Sequence, residues 1–327
     1  MDRNGFRAYL AGRQADEETT SRSFDLAERF ESYAEKILGA SVAQATASTA
    51  KGFAEELTRS HDNTFDNFLA VARYARFVGN LDAFRATLEI IDGHEAFANL
   101  CRKTADEFGD AVRDGVFAGI EIPPLGVSNL ERARRMRIVV ERLQAKVGRD
   151  RSAQLLGQGL RDLPDAGYES ERDSFRTAGG IDEYLRRKGD QFIAELRKIK
   201  KEGMLYYTQP ITDEVIAYVE SHPEIRQGLR VGNVIYEAKI PYMAVEYLAA
   251  KDPESKAYSY CHCPWARESL RNGETKVPEV FCNCSAAFHK KPYDVIFGRP
   301  LRAEVIETVL HGDPWCRFAI YLPDDVT

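Results

Sequence analysis

The sequence predicts an α+β fold: an all-helical N-terminal domain followed by an antiparallel-sheet α+β domain that ends in a β-hairpin. Three observations predict it. Apolar residues recur at three- and four-residue spacing through the first half, the period of helices with one buried face. After Gly203 the character changes to short β-prone runs separated by helical patterns. The last two β-prone runs flank His311-Gly312-Asp313-Pro314, a turn-forming stretch.

The helical pattern covers 24–38, 48–60, 64–79, 81–91 and 94–114. Asn63-Thr64 and Asp92-Gly93 are the expected boundaries, a capping side chain and a turn glycine. Ile122-Pro123-Pro124-Leu125-Gly126 interrupts the pattern. A further helix is expected over 129–147, opened by Ser128 with Glu131 at capping-box spacing. The predicted helical domain is 1–160. Residues 161–180 are polar, contain Pro164, Gly167, Gly179 and Gly180, and read as a linker or surface loop. The second domain, 181–327, begins with an amphipathic helix over 181–202. Strands are expected at Leu205–Thr208, Val234–Ala238, Tyr258–His262, Leu301–Val309 and Arg317–Leu322, with helices at 212–220, 241–250 and 278–297.

Bulk composition narrows the function. A net charge of −6 opposes nucleic acid as a partner, because phosphate binding needs a clustered basic surface. No apolar run is long enough to span a bilayer, so no membrane partner is expected. No apolar h-region follows Met1, which predicts a cytoplasmic chain whose thiols stay reduced. GxxxxGK[ST], HExxH and GxSxG are absent, and no GxGxxG follows a strand. A small organic molecule is the expected partner, and a homodimer is compatible with the sequence.

The chemistry-bearing residues gather late. Five of the six cysteines lie between Cys261 and Cys316: Cys261, Cys263, Cys282, Cys284 and Cys316. Thiolates in a reduced compartment point to metal binding or catalysis. If 258–263 is a strand, Cys261 and Cys263 share a face and His262 points the other way. Cys282 and Cys284 share a face on a strand but lie about 200° apart in a helix. A four-thiolate zinc site therefore has two ligand sets: the two CxC pairs, or three of those cysteines with Cys316. Alternatively Cys282 or Cys284 at a helix N-terminus is a nucleophile, its thiolate favoured by the dipole. His262, His289 or His311 would serve as its base. Trp265, Arg267, Glu268 and Arg317 are the candidate ligand-binding residues, the arginines as carboxylate grips. A third reading makes the cysteines small buried apolar residues, which suits Cys101 best. Asp313 is expected to shape the hairpin turn.

Residues 258–323 resemble the C-terminal part of the 4-vinyl reductase domain and of the sensor domains of aromatic-responsive regulators. The shared pattern is a cysteine entering a helix, Gly298 closing it, a strand, Gly312-Asp313 and Cys316-Arg317-Phe318. The resemblance implies zinc beside a small-molecule pocket, with Cys316 and either Cys282 or Cys284 as ligands and Glu304 or Glu307 as the acid. Thr308 or a neighbour stands where that family has a cysteine on the first hairpin strand. The same ending is similar to that of 2-amino-thiazoline-carboxylate hydrolases, which open a C–N ring. Cys261-His262-Cys263-Pro264-Trp265-Ala266-Arg267-Glu268-Ser269 is similar to the hallmark of an uncharacterised prokaryotic family. Helices around 66–77 resemble the arm-type domain of tyrosine recombinases, without the HxxR of that family. The expected function is binding of a small organic molecule at a zinc-supported, cysteine-rich pocket. The alternative is hydrolysis of a C–N or C–S bond by a thiolate or metal-bound water.

Overall fold

The structure, a computed structural model, describes residues 1–271 and 273–324, with Glu274 described by its backbone alone. The last three residues of the expected 181–327 domain lie outside the described residues.

Contacts divide the chain into two units, Met1–His94 with Ile122–Arg132, and Glu95–Glu121 with the chain from Ala133 onward. The first unit is helical: α1 (Arg3–Ala11), α2 (Glu17–Leu38), α3 (Ala47–Arg59), α4 (Phe65–Phe77) and α5 (Leu81–Ile91). Asp2, Asp16, Thr46, Thr64 and Asn80 each accept a first-turn backbone N–H, which explains where the helices start. Phe6, Phe30, Phe53, Phe68 and Tyr74 fill the core between them.

The second unit opens with α6 (Ala96–Phe108) and α7 (Asp110–Phe117). The single helix expected over 94–114 is broken at Gly109, whose φ of 86° only glycine adopts readily. Next come α8 (Asn129–Val147), whose first residues belong to the first unit, and α9 (Arg149–Leu156). Ser128 accepts from Glu131 N, as its capping spacing predicts. The expected linker over 161–180 is instead a 3-10 turn, Asp165–Tyr168, and a helix, α10 (Glu169–Ala178). Phe175 anchors that helix on Tyr184 and Phe297, a tertiary contact that polar composition hides.

Then follow α11 (Ile181–Lys201), β1 (Leu205–Tyr206), β2 (Gln209–Pro210), α12 (Asp213–Glu220), α13 (Pro223–Arg226), β3 (Leu229–Val231) and β4 (Val234–Ala238). The chain continues through α14 (Ala244–Ala249), α15 (Pro253–Tyr260), α16 (Pro264–Arg271), a 3-10 turn at Glu279–Cys282, α17 (Asn283–Phe297), β5 (Arg302–Glu307) and β6 (Arg317–Tyr321). β3, β4, β6 and β5, in that order, form an antiparallel sheet, with β5 and β6 as its closing hairpin. Asp313 accepts from Thr308 N at 2.8 Å and shapes the turn.

The strand expected at Tyr258–His262 is a helix end. Asp252 caps α15 by accepting from Ser255 N, and Pro253 sits at its first position. These start signals override the β-propensity of Tyr258 and Tyr260. The shared-face argument for Cys261 and Cys263 falls with the strand.

Contacts group α6, most of α8 and α9 with the later elements. α6, α8 and α9 bury Phe97, Met136, Val140 and Leu155 against Trp265, Val280 and Phe281, within the second unit. One face of the sheet is covered by α11 and α17, where Tyr184, Leu185, Tyr293 and Ile296 meet Ile235 and Ile320. That face of β4 carries the site.

Candidate functional site

All six cysteines are free. Helical phase separates two of them, as expected for a first helical turn. Cys282, the N-cap of α17, joins Tyr260, Cys261, Val309, Leu310 and Cys316. Cys284 packs with Cys263 against Phe97, Trp265 and Phe281. The hydroxyl of Thr308 lies between two thiols, 3.2 Å from Cys282 Sγ and 3.8 Å from Cys316 Sγ. Cys261 Sγ points to the Cys263 carbonyl at 3.8 Å.

Burial, and next the neighbouring Cys316 thiol, raises the pKa of Cys261 and of Cys282. Burial also raises Cys316, and it pushes Cys284 up to about 11 despite its place in a first helical turn. These groups are thiols at neutral pH, which runs against the expectation of a dipole-stabilised nucleophile.

The zinc set implied by resemblance is not assembled. Cys282 and Cys316 meet, but on a threonine oxygen. Glu307 accepts from Trp315 Nε1 at 2.6 Å and lies 3.6 Å from Arg317, while Glu304 accepts from Tyr321 Oη at 2.7 Å. Among the described residues no three or more His, Cys, Asp and Glu side chains are arranged to hold a metal ion.

The candidate ligand-binding residues have packing partners. Trp265, 3% exposed, lies between Phe97 and Phe281. Arg267 stacks over Tyr242 at 4.2 Å and Tyr258 at 5.4 Å. Glu268 is half-buried on α16. Arg317 lies over Tyr236 and 3.5 Å from Glu224.

The histidines differ sharply. His262 Nε2 is 2.7 Å from the Ile240 carbonyl, and burial, with Lys239 next, presses its pKa down to about 3. A neutral ring facing a carbonyl must donate from that nitrogen, so His262 ties two segments together. His311 is exposed and pairs with Glu279. His289 is held at Nδ1 by Glu237, at 2.8 Å, and stacks on Phe318. Its Nε2 is buried and has no hydrogen-bond partner among the described residues.

Residues 282, 285, 289 and 293 fall on one face of α17 by helical spacing. Three of them meet β4 and its extension: His289 and Tyr293 bond Glu237, and Ser285 Oγ lies 3.2 Å from Lys239 Nζ. Lys239 also lies 5.6 Å from the Phe288 ring centre, and Arg161 covers that ring at 5.8 Å. Lys239 is half-buried, and among the described residues no carboxylate pairs with it. Its charge acts on Cys284, Cys316, His262 and His289.

Sequence reasoning passed over Glu237, Lys239 and Ser285. One signal was available: Val234-Ile235-Tyr236-Glu237-Ala238-Lys239-Ile240 carries two charges on one face of an apolar strand.

No helix among the described residues is long and apolar enough to cross a membrane. No family model, curated protein or solved structure matches the chain.

Proposed function

We propose that the chain is a cytoplasmic protein whose second unit binds a small organic anion with a planar, apolar body. The observation that carries this reading is Lys239: a half-buried ammonium, bonded to Ser285, beside an aromatic ring and, among the described residues, without a carboxylate partner. Removing a charge from water without a counter-charge is unfavourable, and a bound anion restores the balance. Ser285 adds a hydroxyl, and Phe288 adds an apolar surface for the rest of the ligand. Arg267 and Arg317, the arginines expected to grip a carboxylate, have other partners. The proposal needs no metal, and the raised thiol pKa values oppose a resting thiolate nucleophile.

Benzoate and benzamide test the reading by calorimetric titration, because they share a ring and differ in charge. Benzoate should saturate one site per chain and benzamide should not. Lys239→Met should weaken benzoate by about tenfold or more, the scale of one lost charge-assisted hydrogen bond. Equal binding of the two probes, no binding of either, or an unaffected Lys239→Met variant refutes it.

A further inference from the structure

His289 carries a proton address that the anion site alone does not require. Glu237, 7% exposed, accepts three hydrogen bonds. Lys188 Nζ donates to Oε1 at 2.7 Å, Tyr293 Oη to Oε1 at 2.6 Å, and His289 Nδ1 faces Oε2 at 2.8 Å. Burial alone would raise its pKa. The Lys188 charge and the hydrogen bonds of His289 and Lys188 outweigh burial and hold it below the ordinary carboxylate range. An ionised carboxylate only accepts, so the proton shared with His289 belongs to Nδ1. The neutral ring then presents its lone pair at Nε2, the buried atom without a partner. A buried acceptor left unsatisfied calls for an explanation, and here the surrounding groups over-determine its orientation. Phe318 fixes the ring plane from β6, with centroids 4.3 Å apart.

The charged groups around the ring are Glu237 and Lys239 from the β4 segment and Lys188 from α11. Burial first, with the two ammonium groups, outweighs the Glu237 bond and keeps the imidazole pKa below its ordinary value. The ring is therefore neutral near pH 7 and free to take a proton.

We infer that His289 is the proton-accepting residue of this site, acting through Nε2, and that Glu237, Lys188 and Tyr293 are positioning residues that hold it in that tautomer. The inference rests on the reading that a small molecule enters beside Lys239 and Ser285. In the simplest step, water attacks an acyl carbon and its proton passes to Nε2. The new C–O bond forms as the bond to the leaving oxygen breaks, and the leaving group departs with the electron pair. The Lys239 charge, which acts on His289, offsets the negative charge that develops on the acyl oxygen.

Two measurements test this, with p-nitrophenyl acetate as the acyl probe. Hydrolysis should yield acetate and p-nitrophenolate, and His289→Gln should slow it by about a hundredfold, the usual scale of a lost general base. Nitrogen-15 imidazole spectra at about pH 7 should show His289 with a protonated Nδ1 and a bare Nε2. Glu237→Gln should mix the tautomers, because an amide donates as well as accepts. Tyr293→Phe, which keeps the ring in the core, should shift the Nδ1 signal without loss of fold. Equal ester rates in wild type and His289→Gln, or a protonated Nε2 in the wild type, overturns the inference. Benzoate binding together with either of those results removes this inference alone. Failure of benzoate binding, with the tautomer and the rate loss as expected, removes only the anion reading.

Discussion

Two histidines show how neighbours assign roles to one residue type. His289 has its donor nitrogen occupied and its acceptor bare. His262 has Nε2 spent on a backbone carbonyl. Its folded pKa is about 3 against an ordinary 6.5, so below the ordinary value the unfolded chain takes a proton that the folded chain refuses. Its contribution is fully present above the ordinary value and is lost as pH falls toward the folded one. Stability should drop by about 1–2 kcal/mol between about pH 6.5 and pH 5 from this group. His262→Gln keeps a donor for the Ile240 carbonyl and has nothing to titrate, so its stability should fall less over that window. Urea unfolding at the two pH values checks this; identical pH dependence in both proteins contradicts it. Thr308 makes a different point. One hydroxyl lies between the Cys282 and Cys316 thiols. Plasma emission on protein purified without chelator should find less than about 0.2 equivalents of zinc, since hydroxyl oxygen is a weak partner for that ion. A full equivalent, lost together with protection of the cysteines, would contradict this placement of the thiols.

Elements with strong local signals were legible. The helix over 129–147 and the strand at Val234–Ala238 lie where periodicity puts them, and the closing hairpin brackets the Gly-Asp turn. Elements that depend on tertiary contact or on a cap were not. α10 rests on Phe175 and its aromatic neighbours, which a polar stretch does not reveal. The strand expected at Tyr258–His262 overlaps the end of α15, where the start signals Asp252-Pro253 outweigh the β-propensity of two tyrosines. Asp252→Ala should therefore lower the midpoint of thermal unfolding, through the loss of one N-cap. Thermal unfolding with no shift would mean that the Ser255 bond carries no weight. The error reached the site, since the case for Cys261 and Cys263 on one strand face came from it. The α17 alternative fared better: helical phase alone separates Cys282 from Cys284, and the structure separates them.

At the scale of the molecule, local periodicity described helices but not which of them pack together. Leu100, Val139 and Leu143 find their partners at Trp265 and Val277, more than a hundred residues away, so the division near 160 had no local signature. The cysteine-rich tail holds Ser285 and His289, while Glu237 and Lys239 come from β4 and the residue after it, outside that tail. Glu237 and Lys239 lie on one strand face, and α17 brings Ser285 and His289 over them. The site is thus a product of topology. Its central claim is that an organic anion seats on Lys239 beside Phe288. Crystals soaked in 4-bromobenzoate measure this directly through the anomalous signal of bromine. The account predicts a bromine peak in van der Waals reach of the Phe288 ring, with the carboxylate on Lys239 Nζ and Ser285 Oγ, and no such peak in Lys239→Met. Bromine bound only elsewhere, or equally bound at this place in both proteins, would contradict it.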